Sequence, residues 1–190
     1  MPPLFVRSRD PATIGFVGCG MMGGAMARGL HSSGTCTKLI ATEIVPERVP
    51  DFVSKCASNG ALALGADVVV FAVEPKDMPA VCAEVKDNAK AGQLYVSLAA
   101  GVTLASLESW LPAEVPIVRV MPNTPCVVGQ QAAGFCCNQQ CGTFERDLVA
   151  EMLGALGTAV LIDDEDNLDA VTGVSGSGPA YVFQFIEAMR

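Results

Sequence analysis

A short apolar run, Ile14-Gly15-Phe16-Val17, leads directly into Gly18-Cys19-Gly20-Met21-Met22-Gly23, and residues of helical composition follow from Met22 to His31. Strand, Gly-x-Gly-x-x-Gly, helix: this order constrains the fold more than any other feature of the chain. The first glycine allows a tight turn, the second lets backbone approach a pyrophosphate, and the third lets helix and strand pack closely. The helix start then offers unpaired N–H groups and a partial positive charge to an anion.

The rest of the pattern fits that beginning. Lys38–Thr42 reads as a second strand, and Pro46 opens a short helix. Val68–Val73 is a continuous apolar, β-branched run, as expected of a central parallel strand covered on both faces. Lys76–Ala89 reads as helix, Leu94–Ser97 as strand, Thr103–Trp110 as helix and Pro116–Val120 as strand. Strands alternating with helices predict βαβ units in an α/β, Rossmann-like, doubly wound and mostly parallel sheet. Gly134–Cys137 and Ala159–Ile162 add a later strand pair around a helix near Glu145–Leu156. After one helical turn at Asn167–Val171, Ser175-Gly176-Ser177-Gly178-Pro179 starts a helix over Ala180–Arg190 that is apolar on almost every side. Such a helix is normally buried. Either a further helical domain or a partner chain is therefore expected to cover it. The domain reading is a dinucleotide-binding unit over 12–165, then a linker and the start of this helix over 166–190.

Composition removes several function classes. The chain carries 12 Lys and Arg against 20 Asp and Glu, a net charge of −8, where a nucleic-acid binder shows a basic face. The longest uncharged stretch, Val120–Phe144, is broken by Pro122, Asn123, Pro125, Asn138 and several glutamines. It does not make the roughly 20-residue apolar span a membrane helix needs. The opening MPPLFVRSRDP has no apolar secretory core, so a cytoplasmic protein is expected. The eight cysteines sit among apolar strands without a C-x-x-C pair, so they read as reduced core residues rather than disulfides or metal ligands.

Site candidates follow from the sheet. Glu43 stands just past the second strand, where a carboxylate accepts the ribose hydroxyls of NAD and repels the 2′-phosphate of NADP. Arg48 is close enough in sequence to hold such a phosphate. Asn59-Gly60 reads as a turn, or as an amide near the adenosine end of the cofactor. Ala72-Val73-Glu74-Pro75, the loop through Ala100-Gly101, and Met121-Pro122-Asn123-Thr124-Pro125 all end strands on one sheet edge. Ligands of open α/β sheets bind beyond such ends, and the Asn123 amide could bond the nicotinamide carboxamide or the substrate. Asp163–Asp166 reads as a solvated acidic run, of which Glu165 could reach a cationic substrate nitrogen.

The segments IGFVGCGMMGGAMARGL (14–30), FAVEP (71–75), VSLAAGVTL (96–104), VRVMPNTPCVV (118–128) and AVTGVSGSGPAYVFQFIEAM (170–189) resemble the N-terminal part of pyrroline-5-carboxylate reductases. The resemblance implies reduction of the cyclic imine 1-pyrroline-5-carboxylate to L-proline, in proline biosynthesis, by NADPH or NADH. It implies an all-helical C-terminal dimerisation domain, truncated here, of which 166–190 is the linker and first helix, and a homodimer or higher homo-oligomer formed through C-terminal helices. Carried over by position, Gly18, Cys19, Gly20, Met21, Met22, Gly23, Glu43, Asn59, Ala72, Val73, Glu74, Pro75 and Ala100 face the cofactor, and Glu165 lies near the substrate. Glu43 and Glu74 place negative charge where the family commonly has polar or basic residues, and Glu43 tilts the expectation slightly towards NADH.

A protonated imine is a good hydride acceptor and delivery to it needs no general base, which accords with a chain of one histidine and no identified catalytic residue. Two other readings stand beside the reductase. One is a catalytically incompetent nucleotide-binding fragment. The other is a related β-hydroxyacid dehydrogenase or imine reductase, which would need a catalytic Lys or Asp after the fifth strand.

Overall fold

A computed structural model describes residues 12–35 and 38–190. The opening residues, on which the reading about secretion rests, and Cys36 lie outside the described residues. Eight strands form one sheet: β1 (Thr13–Val17), β2 (Lys38–Thr42), β3 (Ser54–Lys55), β4 (Val68–Phe71), β5 (Leu94–Ser97), β6 (Ile117–Met121), β7 (Gln131–Cys137) and β8 (Gly157–Leu161). Their spatial order is β3-β2-β1-β4-β5-β6-β7-β8. Strands β1 to β6 run parallel, β7 runs antiparallel to β6, and β8 is parallel to β7. The order reverses between β1 and β4, which places the topological switch point beside the glycine-rich loop.

Two cores explain the apolar strands. Helices α1 (Met21–Ser33) and α5 (Thr143–Gly154) cover one face, and α2 (Asn59–Gly65), α3 (Met78–Lys86) and α4 (Leu104–Trp110) cover the other. Val68 and Val70 enter the first core, while Val69 and Phe71 enter the second. A strand buried on both sides has no polar face, hence the unbroken run in the sequence.

The structure departs from the sequence reading in places. Asn59-Gly60 is not a turn. It opens α2, because Ser58 caps that helix by accepting from the Ala61 N–H at 3.1 Å, and Leu62 and Ala63 bury its inner side. Capping and burial together outweigh the turn preference of Asn-Gly. The third long strand stops at Phe71, and Ala72 and Val73 pass into the crevice loop. Strand β7 begins at Gln131, earlier than expected, because Gln131 pairs with Gly157 of β8. The two-residue β3 had no hydrophobic pattern to announce it.

The last segment lies on the α4 side of the sheet. Helix α6 (Asn167–Val171) buries Leu168 completely, and Leu168 and Val171 sit so close to Gly134 that a Cβ there would meet them at 3.0–3.2 Å. A wide π-type turn, Thr172–Gly176, leads into α7 (Gly178–Ala188). No residue of α7 is buried, and Tyr181, Phe183, Phe185 and Met189 are 60–65 % exposed.

Candidate functional site

The crevice is built from the C-terminal ends of β1, β2 and β4. Gly18 has φ of +90°, a conformation that L side chains resist, and a Cβ there would stand 2.7 Å from the Ala72 carbonyl oxygen. Its N–H donates to the Thr42 carbonyl at 2.9 Å, tying the loop to β2. A Cβ on Gly23 would run into the Gly18 carbonyl oxygen and the Ala72 methyl. Packing within the chain therefore demands two of the three glycines. Gly20 is different: its φ is −67°, and the space its Cβ would fill is empty for 4 Å around. Nothing in the chain's own packing requires a bare backbone at Gly20.

The helix behind the loop points the same way. Helix α1 has Gly20 at its N-cap, no side-chain cap and no acidic residue in its first turn. By contrast Ser58 caps α2, Thr103 caps α4 through the Ser106 N–H, and Glu145 reaches back to the Gly142 N–H of α5. The first-turn N–H groups of α1 are left facing the open side of Gly20, the arrangement an anion such as a pyrophosphate fits.

Glu43 closes the floor of the crevice. Its side chain is only 6 % exposed. One carboxylate oxygen accepts from the Cys19 N–H at 2.7 Å and the other from the Val45 N–H at 3.0 Å. The Arg48 guanidinium lies 4.0 Å away, with its own side chain mostly in solvent. Glu43 is thus a fixed negative charge locked to the loop. Cys19 contributes its N–H to that lock and buries its thiol, which burial pushes above the ordinary value. Asn59 stands next to it: its amide oxygen accepts from the Thr42 hydroxyl at 2.5 Å and its amide nitrogen donates to Glu84 at 2.9 Å.

Other expected residues spread along the same edge. Ala72 and Val73 are half-buried against Gly18. Glu74 and Pro75 are exposed, and Glu74 meets Lys76 at 2.7 Å, a contact that holds its carboxyl below the usual range. Ala100 is exposed on the loop beyond β5. Met21 is exposed at the helix start, while Met22 rests against Cys126 of the 3₁₀ turn Thr124–Val128, with the sulfurs 3.9 Å apart.

Asn123 and Glu165 both have polar partners within the chain. The Asn123 amide donates to the Ser175 carbonyl (3.2 Å) and hydroxyl (3.0 Å) and accepts from the Ala132 N–H (3.0 Å). It joins the loop after β6 to β7 and to the turn before α7. Glu165 accepts from the Leu104 N–H at 2.8 Å and from Arg119 at 2.7 Å, and Asp169 lies 3.7 Å from the same guanidinium. Arg119, its side chain 7 % exposed, anchors the C-terminal segment to the middle of the sheet. Sequence reasoning passed over it, although a lone charge inside the apolar run Ile117-Val118-Arg119-Val120-Met121 was a visible signal. A cavity of about 650 Å³, lined by Leu104, Glu108, Val115, Asn138 and Glu165 among others, opens beside α4. It has no glycine loop and no free helix start, the two features that the crevice offers to an anion.

Among the described residues no cluster of His, Cys, Asp and Glu is arranged to hold a metal ion, and no helix is long and apolar enough to cross a membrane.

Comparison with known proteins adds the following. A family model described as NADP oxidoreductase coenzyme F420-dependent matches residues 13–101, and one described as pyrroline-5-carboxylate reductase dimerisation matches residues 165–190. A pyrroline-5-carboxylate reductase of Pseudomonas aeruginosa is 40% identical over 93% of this chain and 67% of its own length. The structure of a pyrroline-5-carboxylate reductase from Coxiella burnetii superposes with a TM-score of 0.87 at 34% identity, covering 94% of this chain and 69% of the other. That of a Plasmodium falciparum pyrroline carboxylate reductase with NADP bound gives 0.85 at 32%, covering 93% and 67%. The chain thus spans about two thirds of the length of these relatives.

Proposed function

Because the chain belongs to the pyrroline-5-carboxylate reductase family, we propose that this protein reduces 1-pyrroline-5-carboxylate to L-proline with a nicotinamide dinucleotide. The observation that carries the reading is the uncapped start of α1 beneath Gly20, the one loop glycine that the chain's own packing does not require. When bound, the dinucleotide supplies the hydride. The chain supplies the rest. The first-turn N–H groups of α1 hold the pyrophosphate, and Glu43 and Asn59 stand at the ribose. The loops through Ala72–Pro75 and Ala100 bound the space for the nicotinamide ring. Asn123 and Glu165 belong to the substrate side, where they fix the loop after β6 and the segment leading into α7.

NADH is the preferred donor in this reading. A carboxylate locked by two backbone N–H groups cannot swing away from a 2′-phosphate, and unit charges ~4 Å apart interact by about 4 kcal/mol at an effective dielectric of 20. The exposed α7, within the stretch matched by the dimerisation model, joins two copies of the chain. A cytoplasmic setting is part of the reading, supported by described cysteines that are all free and mostly buried.

The test is consumption of NADH and NADPH by the full protein with 1-pyrroline-5-carboxylate, followed by absorbance with proline identified as product. Turnover with proline formed supports the reading. Tight NADH binding without turnover leaves a nucleotide-binding module instead.

A further inference from the structure

Strand β6 leaves the sheet one rung early, and the C-terminal segment fills the gap. Arg119 faces Cys136 and Met121 faces Gly134 across the antiparallel β6–β7 pair. The same register, carried on, sets Asn123 opposite Ala132. The backbone of Asn123 does not make that rung. Its carbonyl accepts instead from the Cys126 N–H at 3.1 Å and begins the 3₁₀ turn Thr124–Val128. The N–H and carbonyl of Ala132 still need partners, and side chains supply them. The Asn123 amide oxygen accepts from the Ala132 N–H at 3.0 Å, and the Ser175 hydroxyl donates to the Ala132 carbonyl. The Asn123 amide nitrogen donates to the Ser175 hydroxyl oxygen at 3.0 Å and to the Ser175 carbonyl at 3.2 Å, which closes the ring.

The wide turn Thr172–Gly176 sets Ser175 at this point. The Ser177 N–H reaches back five residues to the Thr172 carbonyl at 2.8 Å, and the Thr172 hydroxyl donates to the Leu168 carbonyl at 2.8 Å. Turns of this width recur at functional sites. Gly176 lets the turn lie on the end of β6, because a Cβ there would stand 2.5 Å from the terminal methyl of Met121. On its other side the loop that Asn123 opens leans on α1, where the Cys126 sulfur meets that of Met22 at 3.9 Å. Contacts therefore run unbroken from the start of α7, through Ser175 and Asn123, to the helix that begins at the glycine loop.

We propose that Ser175 is a positioning residue for hydride transfer: its hydroxyl holds the Asn123 loop where the imine carbon is set against the nicotinamide. The proposal rests on the reductase reading above. Ser175 acts through Asn123 rather than on the reactants. Without the hydroxyl, the Ala132 carbonyl loses its side-chain partner and the Asn123 amide nitrogen keeps only one of its two acceptors. The loop after β6 is then free to shift against α1. A displacement of about 1 Å in a reacting geometry costs up to about 100-fold in rate.

The experiment compares the full protein with Ser175→Ala and Ser175→Thr. In Ser175→Ala, kcat/KM for 1-pyrroline-5-carboxylate should fall by about 10- to 100-fold. NADH affinity by calorimetry should stay that of the parent, because the glycine loop and Glu43 keep all their partners. Ser175→Thr keeps the hydroxyl and should recover most of the lost rate. Amide hydrogen exchange reads the loop without turnover: the Ala132 and Cys126 N–H groups should exchange faster in Ser175→Ala, while the Gly18 N–H, bonded to Thr42, should not. A kcat/KM equal to the parent's, matching losses of NADH affinity and kcat/KM, a threonine variant as slow as the alanine one, or unchanged exchange at Ala132 and Cys126 would each overturn the proposal. A parent that forms no proline overturns the reductase reading instead, and the exchange result then decides alone whether the Ser175 hydroxyl holds the loop.

Discussion

Replacing Arg119 by Met strands the carboxylate of Glu165. The guanidinium is almost wholly buried, while Glu165 keeps about a quarter of its side chain in solvent. Removing one partner of a buried ion pair costs about 3–5 kcal/mol, and the partial access of water to Glu165 argues for the lower end, about 3 kcal/mol. At about 2–4 °C per kcal/mol for a protein of this size, the melting temperature should fall by about 6–12 °C. The control is the double variant Arg119→Met, Glu165→Gln. The amide still accepts from the Leu104 N–H and no charge is left stranded. The double variant should recover much of the loss, a positive coupling in a double-mutant cycle. Urea unfolding followed by fluorescence of Trp110, the only tryptophan, is a well-placed assay, because Trp110 closes the helix whose first N–H Glu165 holds. A single variant within 1 kcal/mol of the parent, or purely additive losses, would show that Arg119 does not clamp the C-terminal segment.

Three further outcomes are expected. Gly20→Asp should leave the melting temperature nearly unchanged yet abolish dinucleotide binding by calorimetry, whereas Gly23→Ala should cost about 1–3 kcal/mol of stability through overpacking. Equal effects of the two on stability would contradict the separate roles of these glycines. Glu43→Ser should raise NADPH affinity relative to NADH, since it removes the locked charge, and a flat ratio across both titrations would exclude Glu43 as the selector. Phe183→Asp with Phe185→Asp should turn an oligomer into a monomer by light scattering, because exposed apolar patches beyond a few hundred Å² mark interfaces. Unaltered mass would place the interface elsewhere.

The sequence by itself determined the parallel sheet, the glycine loop and the apolar terminal helix. Each is written in a local period or a contiguous motif: the two-sided apolar run Val68–Phe71, Gly18–Gly23 behind a strand, and α7 apolar on almost every side. Helix α2 was hidden because Asn-Gly reads locally as a turn, and it takes the Ser58 cap together with Leu62 and Ala63 meeting the sheet to make it a helix. Which polar groups are spent on the fold was also decided in three dimensions. Glu43 gives both oxygens to backbone 24 and two residues away in sequence, Asn123 bonds Ser175, and Arg119 reaches Glu165 across 46 positions. No local pattern encodes such pairs, because a hydrogen bond or ion pair forms only once packing has set two distant groups a few ångströms apart. The same holds for the three glycines. The motif places them, but only the atoms around each reveal which serve the chain's own packing and which leaves room for a ligand.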